Sequence, residues 1–414
     1  MIDLCELVTD GSHHSPPSQV EGYYMASVKD MGAYKFIYSD CRKISEEDYD
    51  KLVKSGCSPK NEDILIAKDG SPLSNIFIYQ EEYPMVLLSS IAIIRTNKNK
   101  ILPEFLKYYL ENPSIKKYIQ TTYTSGSVIP RIILKDFKKF PINYPDIANQ
   151  KKIIGVLKSI DEKIAINEEI NKNLEQLMKC VFDEWFVNFN YSNDVTFKSS
   201  ELGEIPYNWE VKTLGDLLDT LESGKRPKGG ISEIKDGIPS IGAENILGLG
   251  KFNYSKNKLI SHDFFNKLKK GIIQDQDVLL YKDGAQLGRK SLFMNGFPFD
   301  TCCINEHVFR LRSNDEISQF YLYLWLDQPI MTNEIINLNS NSAQPGINQT
   351  DVKSLPILVP NLEIMDKFNK IISPMMNQIF DNALEVNKLS QLRDTLLPNL
   401  MSGEIDVSKI NCYL

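Results

Sequence analysis

Residues 63–71 read DILIAKDGS, and residues 277–285 read DVLLYKDGA. Each phrase opens with an apolar, partly β-branched run, which favours a buried strand. Each then continues into Asp-Gly, a pair that readily adopts the positive φ of a tight turn. The lysines of the two phrases lie 214 positions apart. This recurrence indicates either a duplicated domain or two unrelated strand–turn segments that look alike.

A longer pair of phrases aligns at almost the same offset. Residues 125–145 read SGSVIPRIILKDFKKFPINYP, and residues 340–360 read SNSAQPGINQTDVKSLPILVP, with matching residues 215 positions apart. Nearer the start, Thr-Asp-Gly at residues 9–11 aligns with Glu-Ser-Gly at residues 222–224. Matches in one order at nearly one offset predict two copies of a domain, because a solenoid would repeat with a shorter period.

Each copy ends in a long segment with a heptad pattern. The seam positions recur in steps of four and three, and they are Ile153, Leu157, Ile160, Ile164, Asn167, Asn171, Leu174, Met178, Val181 and Trp185, then Phe368, Ile372, Met375, Ile379, Asn382, Val386, Leu389, Arg393, Leu396 and Leu400. This seam favours two helices that pair with each other as a coiled coil. The alternative is two amphipathic helices, each buried in its own domain.

Two positions along the seam carry further expectations. Asn167 and Asn382 are equivalent, and a polar seam residue fixes helix register, so we expect these asparagines to meet near the middle of the pair. Pro374 cannot donate a helix hydrogen bond, which predicts that the second helix starts or kinks there. A first helix from about Gln150 to Val187 would be about 55 Å long, a length suited to a spacer.

The expected fold is α+β, with two repeated, strand-rich α/β domains separated by two long helices packed as an antiparallel coiled coil. The first strand-rich domain is expected over residues 1–146 and the first long helix over 147–190. A linker and the second strand-rich domain follow over 191–360, and the second long helix with a C-terminal tail occupies 361–414.

Composition restricts the class of protein. The chain has 414 residues, 42% of them hydrophobic, and no apolar run approaches the ~20 residues of a membrane helix. Its first residues, MIDLCELVTDG, lack the basic and apolar regions of a secretory signal. The seven cysteines are scattered, without Cys-x-x-Cys spacing. These features indicate a reduced, cytoplasmic protein with neither a zinc site nor a disulfide framework.

Charge is distributed unevenly along the chain. The formal net charge is −7, yet residues 95–139 hold ten Lys and Arg against three acids, and residues 251–290 hold nine against four. Residues 161–184 and 363–406, in the long helices, are acidic. Local basic regions suit DNA, because neutralised phosphates release their counterions. The alternative is a set of solvated faces without a ligand.

The order of these phrases resembles the specificity (S) subunits of type I restriction–modification enzymes. The matching segments span essentially the whole chain, and they are TDGSHHSPP at 9–17, DILIAKDGS at 63–71, SGSVIPRI at 125–132, FPINYPDIANQKKI at 140–153, FDEWFVNF at 182–189, GEIPYNWEVKTLGDL at 203–217 and LRDTLLPNLMSGEI at 392–405. The first copy departs from this pattern, because it lacks the Ile-Pro-x-x-Trp lead-in of the second.

The resemblance implies a sequence-specific DNA-recognition subunit. Each copy would be a target-recognition domain for one half of a bipartite site in double-stranded DNA, and the paired helices would set the gap between the halves. Two modification subunits, which methylate adenine, and ATP-dependent restriction subunits would dock on the chain. The chain itself would be non-catalytic and would need no cofactor.

The candidate DNA contacts lie on the repeated loops. Lys68 and Lys282 end otherwise apolar strands and are interpreted as phosphate-facing or base-facing groups, although an ordinary turn with an exposed lysine explains them as well. Arg131 and Gln344 can read guanine and adenine edges through paired hydrogen bonds. The serines suit phosphate or base-edge contacts, or a plain solvent loop. The complete set is His13, His14, Lys68, Ser71, Ser125, Ser127, Arg131, Arg226, Lys228, Lys282, Gln286, Arg289, Ser342 and Gln344.

Other functions make different demands on the sequence. The adjacent His13 and His14 lack a third ligand at a supporting spacing, so a DNA-facing loop is preferred to a metal site. A DNA methyltransferase that reads its own site would need an Asn/Asp-Pro-Pro-aromatic phrase for a flipped adenine, and the chain has none. A coiled-coil scaffold without DNA binding predicts no basic excess in the strand-rich domains.

Overall fold

The computed structural model describes residues 1–32, 34–126, 129–192, 195–227, 230, 234–339 and 345–409. The chain divides into two compact units. The first unit comprises Met1–Glu162 and the chain from Leu389 onward, and the second comprises Lys163–Lys388. Each unit contains one copy of the repeated phrases and part of each long helix, because the unit boundaries fall within the helices.

The strands of the first unit form two main sheets. They are β1 (Cys5–Asp10), β2 (Tyr23–Ala26), β3 (Arg42–Ile44), β4 (Ile64–Ala67), β5 (Ile76–Ile78), β6 (Met85–Leu87), β7 (Ile91–Thr96), β8 (Thr124–Ser125) and β9 (Arg131–Ile132). The sheet orders are β1-β7-β4-β5 and β3-β2-β6, and β8 pairs with β9. Residues of β4 are buried against two different hydrophobic clusters, which explains its continuously apolar sequence.

Helices complete the first unit. They are α1 (Glu46–Lys54), α2 (Pro103–Glu111), α3 (Pro113–Tyr123), α4 (Leu134–Phe137) and the start of α5 (Ile147–Phe186). Asn112 separates α2 from α3, and its side chain accepts a hydrogen bond from the amide of Ser114 at 3.0 Å. Pro113 then begins α3, where its missing amide proton costs nothing. Helix α3 leads directly into the Ser-rich loop.

The second unit repeats this topology. Its strands are β10 (Phe197–Ser200), β11 (Gly203–Pro206), β12 (Glu210–Thr213), β13 (Leu218–Ser223), β14 (Ile238–Ile241), β15 (Leu259–Ile260), β16 (Asp277–Tyr281), β17 (Lys290–Phe293), β18 (Cys303–Ile304), β19 (Val308–Ser313) and β20 (Pro356–Val359). The orders β13-β19-β16-β17 and β15-β14-β18 reproduce those of the first unit, including the parallel pairing of β14 with β18. This agreement confirms the predicted duplication.

Short helices of the second unit precede its long one. They are α6 (Leu214–Leu217), α7 (His262–Asn266), α8 (Gln319–Asp327), α9 (Pro329–Asn337) and α10 (Gln349–Lys353), followed by α11 (Leu362–Ser402). Helix α11 begins at Leu362 and continues through Pro374, so this proline does not mark its start. Within the described ranges, no helix combines the length and apolarity that a bilayer crossing requires.

Helices α5 and α11 pair antiparallel, as predicted. In the first unit, Asp161 of α5 lies 3.1 Å from Arg393 of α11. In the second unit, Lys163 of α5 lies 3.2 Å from Glu385 of α11. All of the predicted seam residues are buried or half-buried. The seam therefore faces inward along both helices, and the alternative of two separate amphipathic helices is wrong.

The two equivalent asparagines of the seam do not meet. Asn167 donates to Oε2 of Glu385 at 2.6 Å, whereas Asn382 donates to Oδ1 of Asn171 at 2.8 Å. The residue that faces Asn382 thus lies one helical turn further along α5 than Asn167, because antiparallel packing need not bring equivalent positions together. Both asparagines are buried and bonded, and their role in fixing the register stays a prediction.

The end of the chain packs beside the start of the first copy. Met1, Leu4 and Val407 belong to one hydrophobic cluster, and Ile405 packs against it. In the second unit, Trp209 of the Ile-Pro-x-x-Trp lead-in is fully buried in the hydrophobic cluster of that unit. The C-terminal segment therefore supplies apolar contacts to a copy that lacks this lead-in.

Candidate nucleic-acid interface

The phrases that repeat along the chain are bonded to each other in the folded protein. In the first unit, the amide of Gly70 donates to the carbonyl of Pro130 at 2.8 Å. The amide of Ile132 donates to the carbonyl of Lys68 at 2.9 Å. The Lys-Asp-Gly turn and the base of the Ser-rich loop therefore form one continuous backbone structure.

The second unit contains the same two bonds. The amide of Gly284 donates to the carbonyl of Pro345 at 2.8 Å, and the amide of Ile347 donates to the carbonyl of Lys282 at 3.0 Å. Gly70 and Gly284 both have positive φ, +79° and +124°, which confirms the predicted turn chemistry. In both units, the two repeated phrases therefore fix each other's position through these backbone hydrogen bonds.

Lys68 is buried against carboxylates. Its side chain is 8% exposed, and its ammonium lies 3.2 Å from Oδ2 of Asp10, whose side chain is 11% exposed. A second carboxylate oxygen, from Asp69, lies 3.9 Å away. This ion pair joins the Lys-Asp-Gly turn to the Thr-Asp-Gly phrase. The geometry gives Lys68 a structural partner, and its contact with DNA stays a prediction.

The ammonium of Lys282 contacts different groups from those around Lys68. Its ammonium pairs with the neighbouring Asp283 and lies 5.3 Å from the centre of the Phe309 ring, and its side chain is 16% exposed. Ser223 occupies the position aligned with Asp10, and the neighbouring Glu222 bonds to Arg310 at 2.8 Å. The two lysines therefore occupy equivalent backbone positions in unlike electrostatic surroundings.

Several candidates in the first unit are exposed around the turn. Arg131 lies opposite Asp69 in a backbone bridge, and its guanidinium makes no hydrogen bond or ion pair with any residue that the structure describes. Ser71 and Ser125 are also exposed, and the hydroxyl of Ser125 donates to the carbonyl of Arg131 at 3.4 Å. The fold thus brings Arg131 and Ser125 together beside the turn.

The two adjacent histidines are exposed at the end of the Thr-Asp-Gly phrase. Nε2 of His13 lies 3.8 Å from Asp10, the partner of Lys68. His14 accepts through its carbonyl from the hydroxyl of Ser12 at 2.7 Å. In the part of the chain that the structure describes, no group of three or more His, Cys, Asp or Glu is arranged to hold a metal ion.

The second unit exposes Gln286 and Arg289 just after its turn. Arg226 is 54% exposed, and its NH1 lies 3.7 Å from Oε1 of Glu306. The remaining predicted contacts, Ser127, Lys228, Ser342 and Gln344, lie outside the described residues.

A family model for the type I restriction modification DNA specificity domain matches residues 25–176 and 206–394. These two matches contain both Lys-Asp-Gly turns and account for most of the chain. The chain belongs to this family. Its two copies are therefore two specificity domains. The internal repeat and the duplicated strand order indicate the duplication independently.

Named members of the family resemble the chain over most of its length. It is 26% identical to the type I restriction enzyme MjaIX specificity subunit of Methanocaldococcus jannaschii, covering 96% of this chain and 91% of that protein. It is 25% identical to the HindI specificity subunit of Haemophilus influenzae, covering 80% and 83%. The crystal structure of the type I restriction–modification S subunit from M. genitalium superposes with a TM-score of 0.54 at 15% identity over 96% of this chain and 94% of that one, which supports the same fold.

The sequence did not indicate that Asp10, Glu306 and His307 would contact the candidate DNA-binding residues. Asp10 lies in the repeated Thr-Asp-Gly phrase, so the repeat offered a signal for it. Glu306 and His307 lie at the entry to β19, outside the repeated phrases. Nothing in their spacing indicated that they would lie beside Arg226, which precedes them by 80 residues in the sequence.

Lys290 anchors the far end of the second turn. Its ammonium bonds the hydroxyl of Thr332 and lies 4.0 Å from Asp327, and its side chain is almost fully buried. Burial lowers the pKa of Lys290 from 10.5 to about 8. Above about pH 8 the neutral form therefore predominates in the folded protein, whereas the lysine of the unfolded chain stays protonated up to about pH 10.5.

Replacing Lys290 by Met should remove this pH dependence. In the wild type, the contribution of Lys290 to stability is lowest below pH 8 and rises toward pH 10.5, since only the unfolded chain stays protonated across that window. Between pH 8 and pH 10.5, the free energy of unfolding of the wild type should therefore rise by on the order of 2–3 kcal/mol relative to that of Lys290→Met. Urea unfolding followed by tryptophan fluorescence measures this, because Trp185, Trp209 and Trp325 all lie in the second unit.

An exposed lysine supplies the control for this measurement. Lys251→Met in the same unit should give a stability curve parallel to the wild type over this range, because the side chain of Lys251 is 60% exposed. Parallel curves for Lys290→Met and the wild type would contradict the assignment of a lowered pKa to Lys290.

Proposed function

We propose that this chain is the DNA-recognition subunit of a type I restriction–modification complex, acting in the cytoplasm on a split double-stranded target. Each specificity domain reads one half of the target, and helices α5 and α11 set the gap between the halves. The chain supplies recognition and no catalytic step. Two modification subunits supply adenine methylation, and restriction subunits join the assembly.

One observation carries this proposal more than any other. The same pair of backbone bonds joins the Lys-Asp-Gly turn to the Pro-x-Ile segment in both units. Two copies of one binding surface on one chain suit a ligand that presents two separate sites. The unlike residues on the two surfaces, Arg131 opposite Asp69 and Gly346 opposite Asp283, suit two halves of different sequence.

Exposed lysines support a contact with DNA phosphates in each unit. In the first unit, Lys135 and Lys138 are exposed near the Ser-rich loop, and in the second unit Lys267, Lys269 and Lys270 are exposed. Phosphate contacts of this kind supply affinity without sequence preference, whereas base contacts supply specificity. Binding is therefore expected to weaken steeply as the salt concentration rises.

The helices also carry a surface for the partner subunits. Ile166, Ile170 and Leu177 of α5 are exposed within the second unit. Their spacing by four and seven residues places them on one face of the helix. This apolar face lies away from the buried seam, and we assign it to the modification subunits.

Acidic substitutions on this face should prevent assembly. We expect Ile166→Asp combined with Ile170→Asp to weaken binding of the modification subunit by at least about 100-fold, because charges would replace two isoleucines that the bound partner would cover. Thermal unfolding of the chain alone should change little, since both side chains are exposed. Co-purification and titration with the modification subunit measure the effect.

Leu202→Asp supplies a matched control for the docking face. Leu202 is also exposed and apolar and belongs to the same unit, but it lies in the turn of the β10–β11 hairpin. This variant should bind the modification subunit normally. Equal binding by the double variant and the wild type would contradict the assignment of this α5 face to the modification subunits.

Methylation mapping tests the proposed function directly. The chain would be co-expressed with a type I modification subunit from the same genome, and methylated adenines in the host DNA would be mapped at single-molecule resolution. We expect marks at one split motif, in which two short sequences flank a fixed gap. A stable complex that gives no methylation, or methylation at a continuous motif, would contradict the proposal.

A further inference from the structure

Three charged side chains and one histidine form a connected group beside the turn of the second unit. NH1 of Arg226 lies 3.7 Å from Oε1 of Glu306, and the same oxygen lies 3.5 Å from Nε2 of His307. Nδ1 of His307 lies 3.4 Å from Oδ2 of Asp283 in the Lys-Asp-Gly turn. All four side chains are partly or largely exposed, so the group lies at the protein surface.

Backbone bonds hold the members of this group in place. The amide of Lys282 donates to the carbonyl of His307 at 3.1 Å, which fixes the turn to the entry of β19. The amide of Gly224 donates to the carbonyl of Asn305 at 3.1 Å, which fixes the start of the segment that carries Arg226. Three separate parts of the chain thus converge at one surface.

The first unit places its arginine differently. Arg131 lies opposite Asp69 in the bridge between turn and loop, whereas Gly346 occupies the same position opposite Asp283. The second unit therefore has no side chain at the position where the first has a guanidinium. Arg226 provides a guanidinium beside the same turn from another segment, and Glu306 pairs with it there.

The geometry around Arg226 favours base recognition over a loose phosphate contact. The Glu306 carboxylate lies beside NH1 of the guanidinium at 3.7 Å, and NH2 lies near Gly230, where a β-carbon would be 3.6 Å from it. A guanidinium held at one nitrogen loses less side-chain entropy on binding and keeps its remaining donors for a planar acceptor. The O6 and N7 atoms of guanine form such an acceptor pair in the major groove.

We propose that Arg226 reads a guanine in the half-site of the second unit, with Glu306 and His307 as positioning residues that orient it. The inference rests on the proposed function, and it adds which base is recognised in the second half-site and which residues recognise it. Arg131 is its counterpart for the first half-site, although it lies at a different place in the fold. The two units thus read guanine through arginines from unlike segments.

Methylation mapping of the co-expressed complex with single variants tests this inference. Arg226→Lys keeps the charge but removes the paired donors, so discrimination at one position of the second half-site should fall roughly 10- to 100-fold. Glu306→Gln should relax that same position, because it removes the charge that holds the guanidinium. His307→Gln should do so more weakly. The first half-site should be unchanged in each variant.

Arg131→Lys is the matched control, because it should relax the first half-site and leave the second unchanged. The proposal is wrong if the wild-type second half-site contains no position that requires guanine, or if Arg226→Lys leaves that half-site unchanged. It is also wrong if Arg226→Ala weakens binding to all sequences alike and reduces the slope of log K against log salt by about one, which would make Arg226 a phosphate contact. Absence of any split motif in the wild type would instead overturn the proposed function and this inference with it.

Discussion

Lys68→Met is expected to destabilise the first unit by about 3 kcal/mol, because it leaves the Asp10 carboxylate buried without its main partner. Breaking a fully buried ion pair costs about 3–5 kcal/mol, and the small remaining exposure of both groups places this pair at the lower end. Among the residues described, the only other basic side chain within 4 Å of the Asp10 carboxylate is the imidazole of His13, which lies 3.8 Å away and is 80% exposed. It cannot replace a buried ammonium.

Hydrogen exchange of peptides from residues 63–71 measures this loss locally. Tryptophan fluorescence would miss it, since all three tryptophans lie in the second unit. Lys282→Met serves as the comparison, because the side chain of its partner Asp283 is 25% exposed. We expect a smaller increase in exchange around residues 277–285 for that variant.

A double variant separates a structural role of Lys68 from a DNA contact. Asp10→Leu combined with Lys68→Met replaces the ion pair by apolar groups, which is often close to neutral for stability. We expect normal exchange at residues 63–71 and an unchanged first half-site in methylation mapping. A stable double variant that no longer recognises the first half-site would show that Lys68 contacts DNA directly.

Inserting one heptad into each long helix is expected to lengthen the accepted gap by about three base pairs. Seven residues extend a helix by about 10.5 Å, and successive base pairs rise about 3.4 Å. The insertion points are between Glu162 and Lys163 in α5 and between Lys388 and Leu389 in α11, where the two units divide. A heptad also preserves the seam, so each unit keeps its own contacts.

Methylation mapping reads both consequences of the insertion in one experiment. The two half-sites should stay the same while the gap grows. Insertion of five residues into each helix is the control, because it rotates the seam by more than a third of a turn and should prevent folding of the helix pair. An unchanged gap in the heptad variant would show that the helices do not set the spacing, and altered half-sites would show that they take part in recognition.

The duplication and the helix pairing could be predicted because both depend on order and periodicity. Equivalent phrases at a constant offset become equivalent strands, and the sheet order of the first unit recurs in the second. The seam residues face inward because a step of four and three matches the turn of an α-helix. The register was harder to predict: Asn382 faces Asn171 and not Asn167, since a seam repeats every heptad and permits several registers.

The sequence by itself determined where the chain turns and which residues face the core, because backbone preference and hydrophobic periodicity act over a few neighbouring residues. Only the tertiary structure decided which charged groups pair with each other. Lys68 is buried against Asp10, 58 residues away in the sequence, and Arg226 meets Glu306 across 80 residues. An ion pair forms wherever packing brings opposite charges within about 4 Å, and no local pattern records that approach.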